Sequence, residues 1–187
     1  MVTATSDLEN DHKYILRLID VMEKMVLNIS TELSHLEMVV RLIKNYADGF
    51  HHVKEESLFF PLLIKKGFSK EQGPVAVMLH EHSEGRNFVK GMSENLKAYK
   101  YGDSSALTPL YENMQGYIDL LRSHIAKENN VLFRMADKLL TKEEQESLLK
   151  SFATMEKTGY TEGQLERFVT DIEGLEVIYG THPQIHA

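Results

Sequence analysis

Apolar residues recur at steps of three and four along most of the chain, the spacing that turns one face of an α-helix toward a core. One line runs Leu8, His12, Ile15, Ile19, Met22, Val26 and Ile29, and a second runs Leu36, Val40, Ile43, Ala47, His51, Glu55, Leu58 and Leu62. A third comprises Val75, Met78, His82, Gly85, Val89 and Leu96, and a fourth Leu110, Met114, Tyr117, Leu121, His124, Glu128, Val131 and Met135. Helix starts are marked by Ser6 three before Glu9, Gly73 before Pro74, Thr108 before Pro109, and Thr141 three before Glu144. Breaks fall at NISTEL (28–33), KKGFSKEQG (65–73) and YGDSSAL (101–107). These signals predict helices over about 7–29, 32–64, 74–100 and 109–139, then two shorter ones near 142–156 and 162–178. Neither period-two alternation nor a tight hairpin turn marks a strand. The expected fold is all-α: an up-down-up-down four-helix bundle in residues 1–140, with a C-terminal helical extension, 141–187, packed on the bundle or used for association.

The 187 residues are enough for one domain, and 42% apolar content is ordinary for a globular chain. Lys and Arg total 21 against 28 Asp and Glu, a net charge of −7, with no basic block, which argues against nucleic acid and anionic membrane as partners. The start, MVTATSDLEN, has neither a basic head nor a long apolar run, so a cytoplasmic protein is expected. Cysteine is absent, which removes disulfides, zinc–thiolate sites and cysteine nucleophiles together. A metal would have to be held by nitrogen and oxygen. Nine histidines are then the feature to explain.

Four of them are on the buried lines, one per helix: His12, His51, His82 and His124. Glu55 and Glu128 each follow a histidine by four residues, one turn on and on the same face. His52 and Glu56 have the same spacing, but the periodicity puts them with Asn45, Asp48 and Gly49 on a polar flank. HHVKEESLFF (51–60) and HIAKENNVLF (124–133) align without a gap, pairing His51 with His124, Lys54 with Lys127 and Glu55 with Glu128. In that alignment His52 falls opposite Ile125 and Glu56 opposite Asn129. Asp11-His12 and Glu81-His82 match in the preceding helices, so two similar helix pairs should face each other about a pseudo-twofold axis, as in two-metal bundle centres. Two buried carboxylates cost several kcal/mol each unless neutralised, paired or metal-bound. The competing reading is a core of histidines hydrogen-bonded to the glutamates. His35, His80, His182 and His186 read as surface or tail residues, and the methionines as gap-fillers.

The segments DH (11–12), HHVKEESLFFP (51–61), MLHEHSEGR (78–86) and HIAKENNVLF (124–133) resemble the haemerythrin-like, or HHE cation-binding, family over about residues 6–140. The resemblance implies a non-haem di-iron centre, with His12, His51, His82 and His124 as terminal ligands and Glu55 and Glu128 bridging two irons. Manganese or zinc would suit the same donors. His52, Glu56, Glu81 and Arg86 are the expected supporting positions beside the ligands. Oxygen-carrying members have a second histidine where this chain has Arg86, a fifth histidine overall, and an aspartate at the position of Glu128. The pattern here is closer to bacterial members linked to oxygen or iron sensing, redox stress and repair of iron centres. With His12 and His51 on one metal and His82 and His124 on the other, each would have four protein donors. Both would then be open to an exogenous ligand, with Arg86 near enough to help hold an anion or peroxide.

Three functions follow. The first is a di-iron protein that binds or reacts with dioxygen, peroxide or nitric oxide in sensing, scavenging or stress response. The second is a metal-stabilised interaction or iron-storage module, the tail supplying a partner surface or a homodimer contact. The third is an oxidase or peroxidase acting on a small substrate. No catalytic triad pattern, phosphate loop or dinucleotide fingerprint offers a rival site.

Overall fold

In the computed structural model, which describes residues 2–180, six helices account for nearly all of the backbone, and there is no strand among the described residues. Helix α1 is Ala4–Asn28. Helix α2 runs without interruption over 33–65, and α3 is Pro74–Lys100. Helix α4 covers 107–139 after a single 3-10 turn at Ser104–Ala106; α5 is Lys142–Gly159 and α6 Gln164–Tyr179. The first four form the expected up-down-up-down bundle, each packed on the next and α1 closing against α4. No described helix is long and apolar enough to cross a membrane.

Helix α1 starts three residues before the expected position because Thr3, not Ser6, caps it. The Thr3 hydroxyl accepts from the Ser6 amide at 3.1 Å, and the Thr3 amide donates to the Ser6 hydroxyl at 2.8 Å. Its far end turns at Ile29, left-handed at φ 46° and exposed, so Ile29 leaves the buried line. Thr141 and Glu144 form the expected capping box of α5, and Gly73 precedes Pro74 at φ 78°.

Helices α2 and α4 are not α-helical throughout. Helix α2 contains π-helical stretches at Ile43–His52 and Glu55–Phe59, and α4 contains one at Glu128–Leu132. A π turn holds more residues than an α turn, so the buried face slips along the sequence. Beyond Glu55, Phe59 and Leu63 are buried where a uniform helix would bury Leu58 and Leu62. Beyond Glu128, Leu132 and Ala136 are buried, and Val131 and Met135 are exposed. Along both lines the sequence periodicity is therefore right as far as each glutamate and one residue out of phase after it, with His52 an added buried residue off the line.

The core is two apolar clusters with a polar layer between them. One packs Ile15, Ile19, Met22, Val40, Met114 and Leu121 with their neighbours; the other packs Leu8, Phe59, Phe60, Met78, Phe133 and Phe152. The layer between carries every histidine of the buried lines. Helices α5 and α6 run as a strap along α1 and α2. Gln145 accepts from the Ala4 amide at 2.9 Å near one end, and the Tyr179 hydroxyl meets Ser30 and His35 at 2.8 and 2.9 Å at the other. Between them, Arg17 holds the buried Glu176 through two hydrogen bonds of 2.8 and 2.6 Å. His182 and His186 lie outside the described residues.

Candidate metal centre

Five imidazoles and two carboxylates meet in the polar layer. His12, His51, Glu55 and Glu128 form one group of buried donors, and His52, Glu55, His82 and His124 form a second; in each, the donor atoms lie within 4.8 Å of one another. Glu55 is common to both. Glu128 also spans them, its Oε2 lying 3.2 Å from Nε2 of His12 and 3.2 Å from Nε2 of His124. Glu55 Oε2 lies 3.6 Å from His51 Nε2 and 3.4 Å from His82 Nε2.

His52 is the main departure from the periodicity. It is 4% exposed and stacks on His82 with ring centres 3.8 Å apart, not on the polar flank. The reason is the π stretch ending at His52: in a wider turn, two adjacent residues share one inward face. Glu56 stays at the edge, half-buried, as the periodicity placed it. A trace of the shift is visible in the sequence, where the apolar doublets Phe59-Phe60 and Leu132-Phe133 fall out of phase with the lines leading into each glutamate.

All five rings face the same way, with Nδ1 toward an oxygen at the edge and Nε2 toward the centre. His12 Nδ1 is 2.7 Å from Asn129 Oδ1, and His82 Nδ1 is 2.7 Å from Glu56 Oε1. His51 Nδ1 is 3.3 Å from Asp11 Oδ2, and His124 Nδ1 is 3.0 Å from Glu81 Oε2. Lys54 donates to Asp11 at 3.0 Å, and Lys127 donates to Glu81. Every one of these contacts has its partner under the pseudo-twofold, including Glu56 opposite Asn129. His52 breaks the symmetry; its Nδ1 is 3.4 Å from Asp48 Oδ1. Arg86 donates to both Asp48 at 2.8 Å and Glu56 at 2.6 Å, so its substantially exposed guanidinium ties together the oxygens that hold His52 and His82. The sequence reading singled out Glu56, Glu81 and Arg86, but not Asp11, Asp48, Lys54 or Asn129. Asn129 was findable as the repeat partner of Glu56, and Asp11 as the counterpart of Glu81.

The charges fit a cation site. Burial, reinforced by the neighbouring Glu128, pushes Glu55 up to about 7. Burial would raise Glu128 as well, but His124 and His12 hold it well below the usual carboxylate range. Burial opposes protonation of His124, yet Glu128 and Glu81 raise it to about 10. His51 and His52 are driven well below the usual histidine value, first by burial and then by neighbouring imidazoles, and are neutral. Nε2 of His12, His51 and His52, and both oxygens of Glu55 and of Glu128, are buried without a hydrogen bond. Buried polar atoms are rarely left so, and here all of them point to one place. Ion pairing of Glu128 Oε2 with Nε2 of His12 and His124 at 3.2 Å accounts for part of the set, but it leaves Nε2 of His52 and the second oxygens of Glu55 and Glu128 without a partner. Two cations would satisfy them, so the donor set fits a metal pair and fits the rival reading poorly.

The histidines read as surface residues lie away from the layer: His80 is 72% exposed beside Glu84, and His35 bonds to Tyr179. The Hemerythrin HHE cation binding domain model matches residues 3–136, which include every donor described above. The iron-sulfur cluster repair proteins YtfE of Escherichia coli O157:H7 and of Salmonella typhimurium are each 36% identical over 89 residues, covering 46% of this chain and 40% of the relative. The YtfE protein of Escherichia coli O1:K1 is 35% identical over 96 residues. The match thus spans less than half the length of these curated relatives. No solved structure matches the chain.

Proposed function

We propose, for a chain that belongs to the hemerythrin HHE cation-binding family, that the buried centre holds two irons and serves iron and redox stress chemistry in the cytoplasm rather than oxygen transport. The observation that carries this is the set of seven buried donor atoms without a hydrogen bond, from three helices, converging on one place with His82 of the fourth beside them. His12 and His51 would hold one ion with Glu55 and Glu128. His52, His82 and His124 would hold the other with Glu55, and Glu128 stands beside His124. Bound iron would supply a redox-active Lewis acid suited to dioxygen, peroxide or nitric oxide.

The protein's part is orientation and exclusion of water. Each Nδ1 contact fixes the tautomer that leaves Nε2 as a donor. The apolar clusters on either side seal the layer. The donor count is unequal, with three nitrogens on one side and two on the other, in place of the two and two expected from four histidines. The two-histidine side therefore has more room for a small exogenous ligand. Arg86 supports the three-histidine side through Asp48 and Glu56, and its bonds are to those carboxylates, not directed into the centre.

The relatives named for iron–sulfur cluster repair support a role in handling damaged iron centres. Protein from iron-replete cells should contain two irons per chain and lose them on loss of His51 or His52. The reduced protein, mixed with oxygen and then placed under vacuum, should not recover its starting spectrum. Zinc alone, or less than one metal per chain, would overturn the di-iron reading; full and repeated recovery would restore the carrier reading.

A further inference from the structure

The strap of α5 and α6 lies beyond the residues shared with the family, yet it touches the support of the metal centre at two points. The first is Lys54, fully buried at 1% exposure, whose ammonium lies 3.0 Å from each of Asp7, Asp11 and Glu156. Glu156 comes from α5, and Asp11 is the partner of His51. Phe152, also from α5, lies 5.5 Å from the same ammonium, and Phe50 lies 4.1 Å from it. The second point is Tyr160, whose hydroxyl donates to the Gly49 carbonyl at 2.6 Å, inside the long π stretch and next to Asp48, the partner of His52. The Tyr160 ring packs edge-on against Phe50 at 5.3 Å.

The other half of the bundle supplies an internal control. Lys127 stands where Lys54 stands under the pseudo-twofold, but it is 39% exposed, and among the described residues its one ion-pair partner is Glu81. No strap covers it. Its helix has a π stretch of five residues that starts after His124, and Ile125 takes the place of a second histidine. Among the described residues, the ten-residue π stretch and the additional inward histidine it provides occur only where the strap lies. Long π stretches are unfavourable without outside support. If α2 relaxed to α-helix, His52 would rotate to the flank shared with Asn45, Asp48 and Gly49.

We propose that the strap braces the metal centre, with Glu156 and Tyr160 as positioning residues that hold the π stretch of α2 and so keep both His51 and His52 turned inward. The brace rests on the two-metal reading for its consequence but not for its geometry, and the test separates the two. In metal-free protein, histidine labelling by diethyl pyrocarbonate, read by mass spectrometry, should find His52 protected in the unaltered chain. It should find His52 reactive in Glu156→Gln/Tyr160→Phe. In iron-loaded protein, the same variant should release one iron per chain to a ferrous chelator about tenfold or more faster than the unaltered chain. Glu156→Asp should move both readouts back toward the unaltered protein. Asp171→Asn, which removes the outlying ion pair of the strap with Arg41, should change neither. If the double variant does not fold, each single substitution gives the same comparison. Protection of His52 and unchanged release of both irons in folded variants would overturn the brace. Failure of the unaltered chain to take up iron would overturn the functional reading, and the labelling would still decide the brace.

Discussion

Removing the metal should cost this bundle much of its stability, and the donor geometry sets the scale. With the ions chelated at pH 7.5, Glu55 lies above its raised value of about 7 and is mostly charged in a fully buried position. The sign is fixed by the direction of the shift. A carboxyl raised above its unfolded value favours the metal-free fold at low pH and loses that contribution as pH climbs from the ordinary range through about 7. A rise of that size corresponds to about 3 kcal/mol lost by pH 7.5. Nε2 of His51 and His52, left without partners, adds about 1–3 kcal/mol each. The sum, on the order of 5–9 kcal/mol, is comparable to the whole stability of a typical domain. At about 2–4 °C per kcal/mol for a chain of this size, the melting temperature should fall by roughly 10–35 °C. Differential scanning calorimetry of loaded and chelated protein at pH 7.5 measures it. Glu55→Leu sharpens the test: with chelator it should melt above the unaltered chain, because a buried charge is gone, while without chelator it should melt below it. Equal melting of loaded and chelated protein would refute the reasoning and favour a hydrogen-bonded polar core.

His52→Ala should lose metal as His51→Ala does, whereas His80→Ala, at an exposed site, should keep both ions by elemental analysis. Metal uptake must displace the proton held on His124 up to about 10 and, below about 7, the one on Glu55. Apparent affinity should then climb at least about tenfold per pH unit between 7 and 9 and about a hundredfold per unit below 7, checked by competition titration with a metal indicator. Lys54→Met should cost about 3–5 kcal/mol in urea unfolding, since it leaves Asp7, Asp11 and Glu156 facing one another with no cation between them. Lys127→Met, at the solvent-facing counterpart, should cost about 1 kcal/mol or less.

How far the sequence could be read depended on helix type. The four long helices follow from apolar spacing and caps, and their ends differ from expectation by a few residues, the largest shift arising because Thr3 takes the cap expected of Ser6. His12, His82, His124 and Glu128 lie before or at the point where a helix widens, and an α-helical period of 3.6 places them on the inward face; His51 and Glu55 keep that face although the π stretch of α2 begins ahead of them. His52 does not follow from that period, because nothing in spacing alone announces a π turn; its burial depends on backbone hydrogen bonding that tertiary contacts select. Supporting residues were legible only where the internal repeat made them so. Glu81 and Glu56 came from position, while Lys54 and Lys127 read alike in the repeat and only the packing of α5 over Lys54 sets it apart.

The same distinction explains why the two halves of the centre differ. Each helix pair repeats an acid, a histidine, a lysine and a bridging glutamate, and the contacts among them superpose under the pseudo-twofold. That repeat alone would make two equivalent sites. Inequality enters through α2, where a longer π stretch brings in His52 and the strap covers Lys54. His52 adds a nitrogen to the group containing His82 and His124, while the covered lysine holds Asp11 against His51 in the other group. One helix therefore adds a donor to one site and stiffens the support of the other. A nearly symmetric bundle thereby acquires one group with three imidazoles and one with two, the inequality arising in the helix against which the strap packs.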